Sequence, residues 1–316
     1  MKTVRHATLK QLRTFEAAAR HLHFGRAAEE LHLSQPAVSI QLKLLEDDVG
    51  FPLFEQMGRR MYLTHAGEEL AGHVRAVLAR LREATEAMDS LKSDGAGEIH
   101  IACTTTAEYF VPRLLAEFRR QRPRLKIRLT VKNRELVIRD LTDNAVDLVV
   151  MGQPPRDLDA TAVQFAKSPL ALIASPGHPQ AKKRQVLLSQ LEHESFLIRE
   201  RGSGTRDAME RMFSAQHFRP SEMVEIGTNE TIKQAVMAGM GVSFLSLHTI
   251  GFELASKRLA VLRVAGTPVM RDWYVMHRSR KRLSQVATAF KDYLIAKGAA
   301  LIDQAVGQPV RRRNAS

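Results

Sequence analysis

Residues 34–46, SQPAVSIQLKLLE, open as a helix opens: Ser34 can accept a backbone N–H as an N-cap, and Pro36 suits a first turn, where its missing donor costs nothing. Val38, Leu42, Leu45 and Val49 recur at spacings of four, three and four, which puts one apolar stripe against a core. Gln35, Ser39, Ile40 and Lys43 fall off that stripe. Side chains that no core needs, gathered along one side of a helix, point to a partner outside the domain.

Working outward, Leu9, Leu12, Phe15, Ala18 and Ala19 make an earlier helical stripe, and a short helix over Gly25 to Leu31 precedes the opening stretch. Two short helices joined by a tight turn, the second with an unexplained polar face, follow the helix-turn-helix plan. Two extended runs around Gly58 then predict a hairpin, a wing with Arg59 and Arg60 at or just after its tip. Thr64 is expected to cap a long helix reaching about Leu91. Along it Leu70, Val74, Val77, Leu81, Ala84, Met88 and Leu91 alternate spacings of four and three. That period of 3.5 predicts pairing with the same helix of a second chain; packing on its own domain is the alternative.

The 316 residues carry a formal charge of +13, but residues 1–90 hold twelve basic and twelve acidic side chains, so the whole surplus lies beyond them. If the N-terminal part binds nucleic acid, it does so by local placement of charge. No stretch approaches the ~20 apolar residues of a membrane helix, and no apolar run follows the basic residues of the start, so a cytoplasmic location is expected. Cys103 is the only cysteine, which excludes an intrachain disulfide.

After Ser93-Asp94-Gly95-Ala96-Gly97, a linker by composition, strands and helices alternate with short connections. Strands are expected over 98–103, 126–131, 147–151, 171–175, 195–199, 242–247 and 270–277, with helices over 109–122, 135–144, 206–217, 231–238 and 284–297. Such alternation predicts a parallel α/β sheet in two units. Twelve scattered histidines, no G-x-S-x-G elbow and a Gly202-Ser203-Gly204-Thr205 turn without a P-loop lysine leave catalysis without a constellation. No enzyme, cofactor or metal is expected.

The pattern Ala27-Ala28-x-x-Leu31-x-x-Ser34-Gln35-Pro36-Ala37-Val38-Ser39, followed by Leu45-Glu46, Gly50, Leu53-Phe54-Glu55, Arg59 and Leu63-Thr64-x-Ala66-Gly67, resembles the LysR-type transcriptional regulators. The resemblance extends over the whole chain. It implies an N-terminal winged helix-turn-helix (1–64), a linker and dimerisation helix (65–93) and an effector-binding α/β domain (94–303) of two subdomains like a periplasmic binding protein. Subdomain I would take about 94–166 and 269–303, and subdomain II about 167–268. The remainder, 304–316, has little to bury and is expected to be disordered. Asn133-Arg134-Glu135, Asp147-Leu148-x-x-Met151-Gly152-x-Pro154-Pro155, Arg199-Glu200-x-Gly202-Ser203-Gly204-Thr205-Arg206 and the run from Ile232 to Gly241 look like the CbbR branch. That branch implies control of carbon dioxide fixation genes of the Calvin cycle, with regulation of another metabolic operon, or a ligand-binding module without DNA control, as alternatives.

On this reading Ser34, Gln35, Pro36, Ser39, Ile40 and Lys43 face the major groove of double-stranded DNA, and Arg59 and Arg60 hold phosphates or enter the minor groove. A dimer assembling to a tetramer, as in the family, would read an interrupted palindrome. The basic run from Arg119 to Arg139 reads as a solvated face, with attraction of flanking DNA or an anionic effector as the alternative. The effector site is expected between the α/β subdomains. Thr104, Thr105 and Thr106 follow a strand, Gly202, Ser203 and Thr205 precede a helix, and Asn133, Arg134, Gly152 and Gln153 would form the opposite wall. The branch implies a small anionic metabolite: a phosphorylated sugar, phosphoenolpyruvate or NADPH.

Overall fold

The computed structural model describes residues 6–58, 60–92, 97–155 and 157–306. Arg59 and the linker residues Ser93 to Ala96 lie outside the described residues. The chain divides into two compact bodies, a head that runs to Met88 of the long helix and a second body that contains everything from residue 97 onward except a short turn at 143–145.

In the head, α1 (Leu9–His21), α2 (Phe24–Leu31) and α3 (Gln35–Val49) are followed by a hairpin, β1 (Phe54–Met57) with β2 (Arg60–Leu63), and by α4 (His65–Lys92). Each start has a local cause. Thr8 and Gln11 form a reciprocal capping box at α1. Ser34 Oγ accepts from the Ala37 amide at 3.3 Å, with proline in the first turn of α3. Thr64 Oγ1 accepts from the Gly67 amide at 3.0 Å and donates to the Pro52 carbonyl at 2.7 Å, so one hydroxyl caps α4 and ties it to the wing. Phe15, Val38, Leu42, Leu45 and Leu53 make the core. Leu70 and Val74 belong to that core as well, which corrects the expectation that the whole seam of α4 serves a second chain. The seam changes use part-way along: Val77, Leu81 and Met88 stand 46%, 42% and 53% exposed.

The second body begins with β3 (Glu98–Thr104), α5 (Val111–Arg120), β4 (Lys126–Lys132), α6 (Arg134–Thr142), β5 (Leu148–Met151) and β6 (Ala160–Ala174). It continues through β7 (Ser195–Arg199), α7 (Gly204–Ala215), β8 (Glu222–Ile226), α8 (Asn229–Met237) and β9 (Val242–Ser246). It closes with α9 (Gly251–Ala255), β10 (Ala260–Val261), β11 (Val269–Arg278) and α10 (Gln285–Val306). The strand order is β4-β3-β5-β11-β6-β9-β7-β8, with β10 on β6. Only the outer strands are parallel. β6 and β11 run antiparallel to each other and to their outer neighbours, so the expected all-parallel sheet is corrected to a mixed one.

Among the described residues four buried clusters lie about this sheet, and two of them show how the central strands are shared. One gathers Ile99, Ile101, Phe110, Phe118, Val275 and Phe290, and the other Leu172, Phe196, Phe213, Val242 and Val264. β6 gives Phe165 and Ala166 to the first and Leu170 and Leu172 to the second, while β11 has Val269 against the second and Trp273 in the first. The chain therefore crosses twice between two lobes. The helix expected over 109–122 breaks at its start into a single turn, Ala107–Tyr109, before α5, where Pro112 takes a first-turn position. The last helix also outruns expectation: buried Leu301 and Ile302, and the Gln304 carbonyl accepting from Arg113 at 3.3 Å, carry α10 to Val306. Residues 304–306, expected in a disordered tail, are thus helical, and 307–316 lie outside the described residues.

Candidate nucleic-acid interface and ligand cleft

The stripe Val38, Leu42 and Leu45 of α3 is buried, and its free face follows from that. Gln35, Pro36 and Lys43 are exposed, Ile40 is 58% exposed and Ser39 is half-buried. Residues 35, 39 and 43 follow one another at spacings of four, as do 36 and 40, so they form two adjacent rows on a helix. The Ser34 hydroxyl is engaged as the cap of α3. Arg60 stands exposed at the start of β2. Glu46, near the carboxyl end of α3, accepts from the Leu53 and Phe54 amides at 2.7 and 3.4 Å and locks α3 to the wing.

In the second body, the carboxyl ends of β3 and β7 and the amino ends of α6 and α7 surround a cleft between the lobes, with about 480 Å³ of atom-free space including its mouth. Strand ends in open α/β sheets are where ligands lodge. Of the expected residues, Thr104, Thr105, Thr106, Asn133, Arg134, Gly152, Ser203 and Thr205 line it. Gln153 and Gly202 do not. The Gln153 carbonyl accepts from Arg134 at 3.4 Å, and Gly202 sits against Glu135, whose Oε2 would lie 2.9 Å from an added Cβ.

Arg199, Arg271, Trp273, Ser168 and Ser246 complete the walls. Sequence reading missed them. Arg199 closes the apolar run Phe196 to Ile198 of β7, a contrast that could have found it, whereas β6 and β11 carry several polar residues among which Ser168 and Arg271 do not stand out. Arg199, 2% exposed, donates to Glu200 at 2.7 and 2.8 Å, to Thr105 Oγ1 at 3.0 Å and to Asn229 Oδ1. Asn229 Nδ2 returns a bond to the Thr105 carbonyl at 3.0 Å. The Thr105 hydroxyl is thus committed to a junction between lobes. Trp273 Nε1 donates to His248 Nδ1 at 3.0 Å, and burial holds the His248 imidazole down to about 4, neutral at physiological pH.

Arg271 and Arg134 differ from Arg199 in lacking a carboxylate. Arg271 Nη1 donates to the Gly204 carbonyl at 2.6 Å, and Arg134 reaches only the Gln153 carbonyl; among the described residues neither forms an ion pair. Burial, then the like charges of Arg211 and Arg134, push the Arg271 guanidinium down to about 10. An added Cβ on Gly204 would lie 3.1 Å from Arg134 Cδ and 3.7 Å from Arg271 Nη1, so both side chains pass the first residue of α7. Ser203 stands at the N-cap of α7 without a side-chain capping bond. Two guanidiniums, a free hydroxyl and a helix amino end create an excess of positive potential, which suits an anion. Asn133, by contrast, has one end in use: its Oδ1 caps α6 through the Leu136 amide at 3.0 Å.

Cys103 is fully buried and its thiol is pushed up to about 12, and among the described residues no group of histidine, cysteine and carboxylates could hold a metal ion. Nor is any helix of the described residues long and apolar enough to cross a membrane.

Comparison with known proteins matches both bodies. Residues 9–68 match the bacterial regulatory helix-turn-helix protein family of lysR type, and residues 92–299 match the LysR substrate binding domain. The chain is 47% identical over 296 residues to the "RuBisCO operon transcriptional regulator" of Allochromatium vinosum, covering 94% of this chain and 98% of that one. It is 47% identical over 295 residues to the "HTH-type transcriptional regulator CbbR" of Rhodospirillum rubrum, covering 93% and 98%. Among solved structures, the CcmR regulatory domain of Synechocystis PCC6803 "in complex with 2-PG" superposes with a TM-score of 0.61 at 38% identity, over 63% of this chain and 96% of that one. These relatives are regulators, not enzymes. The sequence from the helix-turn-helix to the two-lobed α/β body accordingly belongs to one family, and this chain is a member of the LysR-type transcriptional regulators.

Proposed function

We propose that the chain is a cytoplasmic regulator of carbon dioxide fixation genes that answers to a small anionic metabolite held between the lobes. The observation that carries the ligand half is the pair Arg134 and Arg271, two guanidiniums facing a cleft with no carboxylate between them. A dianion such as a phosphorylated sugar, phosphoenolpyruvate or the phosphate of NADPH would neutralise both. The gene target is supported by relatives named for the RuBisCO operon, and the ligand class by the related regulatory domain in complex with 2-PG. Thr104, Thr106, Ser203 and Thr205 would supply hydroxyl donors, and Asn133 and Gly152 the far wall.

On the DNA side, Gln35, Ser39, Ile40 and Lys43 would read base edges from the major groove, while Arg59 and Arg60 hold phosphates. Replacing Gln35 by alanine is expected to lower discrimination between operator and random DNA by about 1–3 kcal/mol. Arg60→Ala should weaken both alike and reduce the salt slope by about one. Fluorescence anisotropy on both duplexes at several salt concentrations separates the two. Equal losses for Gln35→Ala on both duplexes would remove it from the bases.

The exposed row Val77, Leu81 and Met88 supports a dimer through α4, assembling further to a tetramer that spans an interrupted palindrome. Leu81→Glu places a charge in that seam, and light scattering of the full chain should then report a smaller assembly. An unchanged mass would move the dimer contact elsewhere.

A further inference from the structure

Tyr109 and Glu230 lie outside the lining of the cleft, yet they join its two lobes. Tyr109 ends the turn after β3, and Glu230 stands in the first turn of α8. The phenol donates to Glu230 Oε1 at 2.6 Å, and the same oxygen takes a bond from Lys233 Nζ at 2.6 Å. Lys233 is only 3% exposed, and its ammonium lies 4.7 Å from the centre of the Tyr109 ring. From the other side Glu253 Oε1 at 2.9 Å and the Thr249 carbonyl at 3.1 Å hold that ammonium in place. Lys233 is therefore a fixed part of the second lobe, and Tyr109 is the first-lobe group that docks on it, by its ring face and by its hydroxyl at once. Burial, then the neighbouring Glu230 carboxylate, raise the phenol well above its ordinary range, so it stays a donor at any physiological pH.

The neighbouring junction, Arg199 with Thr105, differs in one respect: both residues line the cleft, so a bound anion acts on them directly. Tyr109, Glu230 and Lys233 are not among the residues that line the cleft. We propose that these three residues form a latch that holds the lobes closed and so sets how tightly the cleft retains its anion, without contacting it. They are positioning residues, and the proposal rests on the reading of the cleft given above. A ligand that touches both lobes binds the closed arrangement, and its apparent affinity scales with the closed fraction. A contact made only on closure changes that fraction whether or not ligand is present.

The test uses the full-length chain with nitroxide labels at Ala116→Cys on α5 and Ser214→Cys on α7, both exposed positions on different lobes. Buried Cys103 stays unlabelled. Distance distributions are recorded by pulsed electron resonance without ligand, and phosphoenolpyruvate affinity by calorimetry. Tyr109→Phe keeps the ring over Lys233 and removes only the hydroxyl. We expect this variant and Glu230→Gln each to add a longer inter-lobe distance and to weaken phosphoenolpyruvate binding by about fivefold. The double variant should do little more than the stronger single one, because both remove the same contact. Unchanged distances in both variants, fully additive changes, or longer distances with unchanged affinity in a parent that binds would each overturn the latch. If the parent chain binds no phosphorylated anion at all, the cleft reading fails, and with it the role of the latch in retention, while the ligand-free distances still report whether the contact holds the lobes.

Discussion

Replacing Gly67 by alanine is expected to destabilise the head strongly and to weaken specific DNA binding with it. A Cβ on Gly67 would stand 2.1 Å from the Leu53 carbonyl oxygen and 3.1 Å from both the Leu53 carbonyl carbon and Leu63 Cδ2. The obstacle is backbone, and that backbone is fastened from three sides. The Leu53 amide is held by Glu46, its carbonyl accepts from the Thr64 amide at 3.1 Å, and its side chain is fully buried. Relief requires α4 to move by more than an ångström from the wing, which breaks the Thr64 cap and opens the core around Leu70 and Val74. Overpacking a core side chain costs about 1–3 kcal/mol, and a clash against fixed backbone lies at or beyond the top of that range. For a domain of this size that lowers the melting temperature by on the order of 10 °C or more. Thermal unfolding followed by circular dichroism, with DNA binding in parallel, checks it. A Gly67→Ala chain with parental melting and operator affinity would show that the approach of α4 to the wing is looser than described.

Arg271→Gln should have the largest effect in the second body that leaves the fold intact. Glutamine keeps an amide donor near the Gly204 carbonyl but removes the charge. The expected result is a loss of about 10- to 100-fold in affinity for a phosphorylated anion, because a charge-assisted, partly desolvated contact is replaced by a neutral one. The ligand-free protein should move the other way and become slightly more stable. Arg271 forms no ion pair, and its burial and the like charges of Arg211 and Arg134 outweigh the attraction of Asp207 and Asp272, so removing its charge ends a net penalty. Calorimetric titration with phosphoenolpyruvate and thermal unfolding without it give the two signs. Unaltered affinity would place the anion away from β11.

How much of this was readable in the sequence depends on the range of the interaction that fixes each element. The head was legible throughout, since Ser34, Pro36 and Thr64 act within a turn of their own positions and the stripe of α3 repeats locally. The division of the α4 seam was not, because Leu70 and Leu81 obey one spacing and only the neighbouring core decides which is covered. In the second body the strand ends and helix starts carried their own marks, and eight expected residues came together in the cleft. β6 escaped over residues 160–170, all but its last four. Its burial pattern shifts from mostly exposed to continuously buried as it passes from one lobe to the other, so no single period describes it. β11 reaches β6 across about a hundred residues of chain, and the register that brings Arg271 opposite Ser168 leaves no trace in local spacing. Long-range pairing places Arg199, Arg271 and Trp273 at the cleft, and local spacing does not single them out.

Control of DNA binding by an anion in the cleft is tested most directly by footprinting of the full-length chain on DNA upstream of a carbon dioxide fixation operon while phosphoenolpyruvate, a sugar phosphate and NADPH are titrated in turn. Such control predicts protection over an interrupted palindrome whose extent changes with at least one of these anions, and the loss of that change at the same concentration in Arg271→Gln while basal protection remains. A footprint indifferent to every one of them, or one that shifts equally in the parent and in Arg271→Gln, would contradict it.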